Sequence, residues 1–352
     1  MNFNLMTKRV VSWYDATKRP MPWRDERDPY KIWLSEIMLQ QTQVTTVIDY
    51  YHRWLKRFPR IEDVASASLD EVLKYWEGLG YYSRARNFHE SCQHIIDNGG
   101  DIPHGVEAFQ ALKGVGPYIA AAVQSIAFNI PASVVDGNIN RVASRVNAFS
   151  KPALQNKKEI QAFMDQILDT KRPGDFNQAM MDLGRYICKP QNPLCDECPL
   201  QRSCIAYRNN QQSMYPTKVE KKPRPHYDVA VGIICDGSKL LITKRKQDGL
   251  LGGLWEFPGG KMKKKESALK AIRREIKEEL SIKIKTKKII AQVDHHYSHF
   301  SVTINAIHCL YDGGAIQLNG PTDYKWIDPP KLSLYAFPKA STKLFKSIEA
   351  IT

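Results

Sequence analysis

The chain has 352 residues, of which 25% are charged and 43% hydrophobic. These proportions exclude a disordered chain, a collagen-like fibre and a small disulfide scaffold, and the length predicts two domains. Lys and Arg number 51 against 37 Asp and Glu, and the net charge of +14 at pH 7 predicts a polyanionic partner such as nucleic acid.

The sequence carries no apolar run long enough for a transmembrane helix and no secretory signal at its beginning. We therefore expect a cytoplasmic protein. Of its seven cysteines, four lie within residues 188–204, which favours a metal site in a reducing compartment over a disulfide framework.

From about residue 5 to residue 208, apolar residues recur at helical spacing, and residues 29–58 are predicted as one long helical segment. Glu36 falls in that segment within one turn of Ile32, Trp33 and Leu39. Apolar surroundings raise the pKa of a carboxyl group, as a general acid requires. Taken alone, this carboxylate favours a structural role.

Residues 112–128, LKGVGPYIAAAVQSIAF, predict a tight turn followed by a helix. Gly114 and Gly116 allow backbone N–H groups to approach an anion, and Pro117 suits the first turn of the helix. The turn therefore predicts a phosphate-binding site, and an ordinary helix-to-helix turn is the alternative. Asp136 follows an apolar run and begins DGNINRV, where helix capping is the plain explanation.

Four cysteines are separated by six, two and five residues, so their thiolates can converge on one centre. These are Cys188, Cys195, Cys198 and Cys204. The spacing is compatible with both zinc and an iron–sulfur cluster. Arg185, Lys189, Arg202 and Arg208 surround the loop, which predicts a contact with a phosphate backbone.

Residues 215–225 combine three prolines with four basic residues and predict an exposed linker between domains 1–214 and 226–352. Beyond it, two apolar runs flank Asp236-Gly237-Ser238 as in a β-hairpin, and a charged helix is expected at about 266–280. The second domain is therefore predicted as α+β.

The order of several motifs closely resembles the adenine DNA glycosylases of the MutY family, in the helix-hairpin-helix superfamily. The motifs are SEIMLQQTQV (35–44), LKGVGPY (112–118), VDGNINRV (135–142), NQAMMDLG (177–184) and the four-cysteine loop. The resemblance implies a multidomain protein: an all-α half with a [4Fe–4S] cluster loop at 188–204, and an α+β Nudix-like domain. It also implies a nucleoid-associated bacterial enzyme that acts on double-stranded DNA. A monomer is the simpler expectation, and a domain-swapped dimer is the alternative.

Members of this family excise adenine mispaired with 8-oxoguanine or guanine, and the adenine must be flipped out of the duplex. The resemblance implies that Glu36 protonates N7 of adenine and then helps to activate water. Asp136 stays ionised and stabilises the oxocarbenium sugar, while Tyr118 and Asn138 position the nucleotide and the acid. The residues implied for the base pocket are Arg19, Trp23, Arg24 and Asp182.

Residue 118 separates two subclasses of the superfamily. Relatives that cleave the DNA strand carry a lysine there, whose amine forms a Schiff base with the sugar. Tyr118 therefore implies base release without efficient strand cleavage. Gln41 resembles the residue that wedges into the duplex, and Tyr81 the aromatic that intercalates beside the lesion; a solvated glutamine and a core tyrosine are the alternatives.

Residues from 226 onward resemble the domain with which these glycosylases recognise 8-oxoguanine. HHYSHF (295–300) matches the lesion-reading loop, with Tyr297 where phenylalanine is usual, followed by Ser298 and His299. Serine and histidine can hydrogen-bond the edge of the modified base. A surface loop or an adventitious metal site is the alternative.

Residues 253–282 contain an almost complete Nudix box, in which Ser281 replaces the usual glycine. Arg274 is expected to orient Glu266. Three carboxylates share one helix face and suit Mg²⁺ at a pyrophosphate: Glu275, Glu278 and Glu279. A relic helix is favoured over a retained hydrolase of oxidised nucleotides, and Lys263, Lys264 and Lys265 are alternative DNA contacts.

Overall fold

A computed structural model describes residues 2–152, 155–217 and 223–350. The chain forms two compact units: Met1–Ala65 with Glu90–Lys221, and Ser66–His89 with Lys222–Thr352. Part of the predicted linker 215–225 lies outside the described residues, so the boundaries 1–214, 215–225 and 226–352 stay predictions. No helix among the described residues is long and apolar enough to cross a membrane.

The first unit is helical, as its periodicity predicts. Its helices are α1 (Phe3–Thr17), α2 (Pro29–Leu39), α3 (Val44–Arg57) and α4 (Ile61–Ser66), and then α7 (Val106–Gln110), α8 (Pro117–Phe128), α9 (Gly137–Asn147), α10 (Lys157–Ile167), α11 (Pro173–Asp182) and α12 (Ile205–Arg208). A π-helical turn, Leu183–Ile187, continues α11. Helix α5 (Leu69–Trp76) belongs to the second unit. Helix α6 (Ser83–Asp97) begins in the second unit and ends in the first, because the boundary falls between His89 and Glu90.

The prediction of one continuous helix over 29–58 is wrong, because the helix is broken after Leu39. Gln40 has ψ 111° and Gln41 has φ 56°, so the backbone leaves the helical region at this point. The polar run 40–43 offers no apolar side chain that would hold another helical turn against the core. Gln41 therefore lies in a loop between α2 and α3.

Helix α2 is buried on nearly all sides, which is the feature that positions Glu36. Asp28 caps its first turn by accepting a hydrogen bond from the N–H of Tyr30, and Pro29 occupies the first helical position. The buried residues of α2 are Tyr30, Ile32, Trp33, Leu34, Ser35, Glu36, Ile37 and Met38. A polar residue on such a helix is withdrawn from water whichever way it points.

The second unit is built on a mixed β-sheet, and its α+β class is confirmed. The strands are β1 (His226–Asp236), β2 (Lys239–Lys244), β3 (Trp255–Glu256), β4 (Gly259–Lys261), β5 (Ile284–His296), β6 (Ser301–Tyr311) and β7 (Asp323–Ile327). Five follow the order β3-β2-β1-β6-β5, while β4 pairs with β1 and β7 with β2. The β1–β6 pair is parallel and the others are antiparallel.

Two apolar layers cover the faces of this sheet. Helix α13 (Ala268–Leu280) packs on one face through Ala271, Ile272 and Ile276. The opposite face is covered by the segment that contains α14 (Lys339–Thr342) and α15 (Phe345–Glu349). The predicted hairpin and the predicted charged helix are therefore present at β1–β2 and α13.

Candidate active site

Glu36 lies in α2 with only 5% of its surface exposed. Burial raises its pKa to about 7, and the negative charge of Asp136 raises it further, while a hydrogen bond from Tyr118 and the charge of Arg24 lower it. A carboxyl with this pKa is partly protonated at neutral pH. The apolar neighbours of Glu36 in the sequence therefore have the predicted electrostatic effect.

Tyr118 stands in the first turn of α8, directly after the glycine turn. Gly114 has φ 78°, a left-handed conformation that favours glycine, and Gly116 is the residue that precedes the helix. The hydroxyl of Tyr118 lies 2.7 Å from Oε2 of Glu36 and 3.1 Å from Sδ of Met181. The turn thus delivers a phenol to the buried acid.

Asp136 is the capping residue of α9. Oδ1 accepts the N–H of Ile139 at 2.7 Å, and Oδ2 accepts the side-chain amide of Asn138 at 3.1 Å. Burial raises the pKa of Asp136, and these hydrogen bonds oppose that rise. The capping explanation therefore holds, and the same bonds favour the charged carboxylate.

The structure brings Glu36, Tyr118 and Asp136 into one electrostatic environment within the first unit. The charge of Asp136 raises the pKa of both Glu36 and Tyr118. Close packing behind Asp136 depends on a glycine, because a Cβ on Gly184 would lie 2.6 Å from Cβ of Asn138. The buried carboxyl of Glu36 and the hydrogen-bonded carboxyl of Asp136 thus interact electrostatically.

Three of the four predicted pocket residues are buried. Arg24 pairs with both carboxylate oxygens of Asp182, at 2.9 and 3.2 Å, and their side chains are 6% and 9% exposed. Trp23 contacts the ring of Tyr51 edge-on, with the centroids 5.4 Å apart. Arg19 lies at the surface, where its guanidinium covers the ring of Tyr186 at 3.9 Å from the centroid.

The four cysteines of the 188–204 loop line one small cavity. Within the described residues, no three His, Cys, Asp or Glu side chains are arranged to hold a single metal ion. A [4Fe–4S] cluster is held by four Cys thiolates, and this loop provides four around one cavity. The residues present therefore fit an iron–sulfur cluster.

Two arginines of α9 hold this loop, and the sequence reasoning missed them. Arg141 donates to the carbonyl of Cys188 at 2.7 Å and to Oδ1 of Asn138 at 3.0 Å. Arg145 is 3% exposed and donates to the carbonyls of Lys189 and Pro190. The only sequence signal was a pair of basic residues four apart on one helix.

Most of the Nudix-box carboxylates form ion pairs with one arginine. Arg274 pairs with Glu266 at 2.8 Å, Glu275 at 2.6 Å and Glu278 at 3.1 Å. Burial and the charge of Glu256 raise the pKa of Glu279 to about 7. As arranged, the three carboxylates predicted to bind Mg²⁺ do not form a metal site among the described residues.

The residues expected to meet the opposite strand lie in two units. Gln41 lies in the first unit, in the loop after α2. In the second unit, the hydroxyls of Tyr81 and Ser298 are hydrogen-bonded. Tyr297 stacks on Phe300 with the ring centroids 4.7 Å apart. His299 is exposed.

Three family models match the chain. Residues 34–169 match the HhH-GPD superfamily of base excision DNA repair proteins. Residues 188–204 match the iron–sulfur binding domain of endonuclease III, and residues 229–347 match the NUDIX domain. The cysteine-loop match supports a [4Fe–4S] cluster rather than zinc, and the predicted domain types are confirmed.

Solved structures agree on the helical fold. A thermostable thymine-DNA glycosylase is 29% identical, with a TM-score of 0.55 over 59% of this chain and 97% of that one. Endonuclease III in a non-covalent complex with DNA is 23% identical, with a TM-score of 0.51 over 60% of this chain and 99% of that one. The second likeness concerns the fold alone.

Relatives named adenine DNA glycosylase match along almost the whole chain. The mouse (Mus musculus) protein is 34% identical over 97% of this chain and 77% of its own length. The human (Homo sapiens) protein is 33% identical, with 96% and 72% covered. The Buchnera aphidicola subsp. Baizongia pistaciae protein is 32% identical, with 97% and 95% covered. The chain is therefore an enzyme of the adenine DNA glycosylase family, which hydrolyses N-glycosyl bonds in base excision repair.

Proposed function

We propose that this enzyme is a monofunctional glycosylase that removes adenine mispaired with 8-oxoguanine or with guanine in double-stranded DNA. The observation that carries the proposal is the buried carboxyl of Glu36, with a pKa of about 7, beside the hydrogen-bonded carboxyl of Asp136. One group supplies a proton and the other an anion. An N-glycosyl bond that breaks to an oxocarbenium-like sugar needs both.

Glu36 acts as the general acid. Tyr118 donates its hydroxyl hydrogen to Oε2, so the carboxyl proton is carried on Oε1 and is available to a substrate. Transfer of that proton to N7 of an extruded adenine makes the base a neutral leaving group. The carboxylate that remains accepts a proton from the incoming water.

Asp136 acts as the anion that stabilises the sugar. The N–H of Ile139 and the amide of Asn138 donate to its two oxygens, which favours the charged form although burial opposes it. A fixed negative charge beside the sugar lowers the energy of the cation that forms when the base departs. Asn138 is therefore the residue that orients Asp136.

Tyr118 excludes the Schiff-base reaction by which other members of the superfamily cleave the DNA strand. A phenol cannot form the Schiff base that a lysine amine forms with the sugar aldehyde. Its buried position raises the pKa of Tyr118 well above the ordinary value, so it stays a neutral hydrogen-bond donor. Base release without efficient strand cleavage follows.

The remaining predicted residues serve DNA recognition in this proposal. Gly114 and Gly116 approach a phosphate, and Gln41 fills the space that the extruded base leaves. Tyr81 intercalates beside the lesion, and 8-oxoguanine is read by the loop of Tyr297, Ser298 and His299. Arg19, Trp23, Arg24 and Asp182 line the base pocket. The enzyme works as a monomer at the bacterial nucleoid, in the cytoplasm.

The cysteine loop has a structural part in this function. A bound [4Fe–4S] cluster would join the thiolates of Cys188, Cys195, Cys198 and Cys204 and so hold the loop closed. Arg202 and Arg208, both exposed, then face a phosphate backbone. Bond breaking is assigned to Glu36 and Asp136 alone.

The Nudix box is proposed as a structural element. Arg274 pairs with Glu266, Glu275 and Glu278 and ties α13 to the loop before it. Hydrolysis of oxidised nucleotides with Mg²⁺ is the alternative activity of this domain. It requires these carboxylates to release the arginine.

Two substrates given to the full-length enzyme test the proposal. Duplex DNA with adenine opposite 8-oxoguanine is incubated without Mg²⁺, and an oxidised deoxynucleoside triphosphate is incubated with Mg²⁺. We expect base loss in the first reaction and no pyrophosphate cleavage in the second. Glu36→Gln should abolish base loss, whereas Glu159→Gln, on the exposed side of α10, should not. Persistent excision by the Glu36 variant would remove the acid assignment.

A further inference from the structure

The segment Ser66–His89 forms one compact unit with the C-terminal part of the chain. It contains α5, the loop 77–82 and the first residues of α6. Nothing in its sequence separates it from the helices that precede and follow it. Its grouping therefore depends on contacts with residues that are far away in the chain.

The first contact is centred on Asp70, at the start of α5. Nζ of Lys244, the last residue of β2, lies 2.6 Å from Oδ1 of Asp70. The indole N–H of Trp255 points to Oδ2 at 3.4 Å. The Lys244 and Asp70 side chains are 22% and 38% exposed, so the pair is partly withdrawn from solvent. One carboxylate thus joins α5 to two strands.

The second contact is centred on Glu77, directly after α5. Oε1 of Glu77 accepts the backbone N–H of Phe337 at 2.8 Å. Nζ of Lys74 lies 2.5 Å from Oε2 of Glu77 and donates to the carbonyl of Tyr335 at 3.1 Å. A buried backbone N–H that loses such an acceptor costs more than an exposed ion pair does.

The third contact lies at the other end of the loop. Arg86 donates to the carbonyl of Gly252 at 2.7 Å. Beside it, a Cβ on Gly253 would lie 3.2 Å from Cδ1 of Leu73, and Gly253 has φ 78°. Leu73 is fully buried. A glycine turn of the C-terminal region thus fits closely against α5.

Tyr81 stands between these contacts. It has φ 47°, and Gly80 before it has φ 74°, so the loop turns sharply at this point. The hydroxyl of Tyr81 is hydrogen-bonded to that of Ser298. The loop is therefore fixed at both ends and presents Tyr81 at a defined position relative to Ser298.

We infer that Asp70, Glu77 and Arg86 are positioning residues that hold Tyr81 beside Ser298. The site that recognises the base opposite the target adenine is therefore already formed before DNA binds. The inference rests on the proposed function. Side chains that are already in place bind without the entropic cost of ordering them, so this site binds the base more tightly because it is rigid. Loosening the contacts weakens recognition of the opposite base and leaves the chemistry at Glu36 in place.

The test compares kcat/KM for adenine opposite 8-oxoguanine with kcat/KM for adenine opposite guanine. The variants are Asp70→Lys, Lys244→Asp, the double variant that carries both changes, and Glu77→Ala. Asp312→Asn is the matched control, because Asp312 pairs with Lys285 at 2.6 Å in the same unit, away from the loop. Thermal melting of each variant reports whether it folds.

We expect Asp70→Lys, Lys244→Asp and Glu77→Ala to lower the preference for 8-oxoguanine about tenfold, a typical coupling between sites. The loss should appear in KM for the 8-oxoguanine duplex, and the double variant should recover the preference by restoring the ion pair. A preference equal to that of the native enzyme in Glu77→Ala and the Asp70 variant overturns the inference, as does a double variant that stays as poor as the single ones. If the native enzyme shows no preference for adenine opposite 8-oxoguanine over adenine opposite guanine, the proposed function itself is wrong about this specificity.

Discussion

The hydroxyl of Tyr118 donates a hydrogen bond to Oε2 of Glu36 at 2.7 Å. Burial raises the pKa of Glu36, and this bond, which stabilises the carboxylate, lowers it; the balance lies at about 7. Because Tyr118 follows the glycine turn, the element proposed to approach the DNA backbone also sets the strength of the acid. In the proposed mechanism, substrate binding and proton transfer therefore both depend on Tyr118.

The first prediction concerns the pH dependence of excision. A general acid must be protonated, so the single-turnover rate should fall as the pH rises through the pKa of Glu36, about 7. Tyr118→Phe removes the hydrogen bond that lowers this pKa. The fall should therefore move to higher pH, by about one unit.

Rates measured across the pH range on duplex containing the mispair check this prediction. Tyr324→Phe is the control, because Tyr324 is an exposed residue of β7 in the other unit. Its profile should match that of the native enzyme. A Tyr118→Phe profile that moves to lower pH would contradict the role of the phenol.

The second prediction concerns stability. The pKa of Glu36 is raised from 4.5 to about 7 in the folded protein, so the folded state keeps a proton that the unfolded state releases. Stability is therefore lost as the pH rises from 4.5 to about 7. Glu36→Gln avoids this loss and should gain about 3 kcal/mol over the native enzyme on going from acidic to neutral pH.

Denaturant unfolding of both proteins at several pH values measures the difference. The gain should be absent at a pH below the pKa that Glu36 has in the unfolded chain, because its carboxyl is then protonated in both the folded and the unfolded state. A difference between the two proteins that is independent of pH would show that the acid is not perturbed in the folded state.

Local features of the site could be predicted from the sequence, and long-range contacts could not. Apolar neighbours within one turn predicted the buried acid at Glu36, and the apolar run before Asp136 predicted its capping position. Arg141 was missed because its partner Cys188 lies 47 residues away along the chain. No periodicity reveals such a partner, since only the tertiary fold brings α9 to the cysteine loop.

The division of the chain into its two units could not be predicted from the sequence either. Ser66–His89 has the same helical character as its neighbours, yet its contacts with Lys244, Phe337 and Gly252 place it in the second unit. The break at Gln41 is similar, because a glutamine in the left-handed region has no composition signal. In both cases packing decides over local preference.

The third prediction concerns the buried ion pair of Arg24 and Asp182. Asp182→Asn leaves the guanidinium buried without its counter-charge, which should cost about 3 kcal/mol of unfolding free energy. Asp25→Asn is the matched control, because Asp25 pairs with Lys18 at 2.6 Å but the two side chains are 70% and 43% exposed. That change should cost less than about 1 kcal/mol.

Denaturant titration of both variants provides the comparison. Equal losses of unfolding free energy in the two variants would show that the buried ion pair stabilises the protein no more than the exposed one. A larger loss in Asp182→Asn should be accompanied by a lower pKa of Glu36, because the charge of Arg24, which lowers that pKa, is no longer balanced by Asp182. The alkaline fall in excision then moves to lower pH.

The fourth prediction concerns Arg141, which joins the cysteine loop to Asp136, the proposed catalytic anion, through Asn138. Its guanidinium donates to the carbonyl of Cys188, and also to Oδ1 of Asn138, whose amide donates to Asp136. Arg141→Gln is too short to make both contacts. Excision should fall by about 10- to 100-fold, and iron per chain should also fall, because neighbours of metal ligands hold those ligands in place.

Arg202→Gln provides the comparison, since Arg202 is an exposed residue of the same loop. It should keep both the iron and the single-turnover rate, whatever it loses in affinity for DNA. If Arg141→Gln retains its iron but excises slowly, the arginine acts through Asn138 alone. If it keeps both, the hydrogen bonds between Cys188, Arg141 and Asn138 do not connect the loop to Asp136, and Asn138 alone suffices to orient the anion.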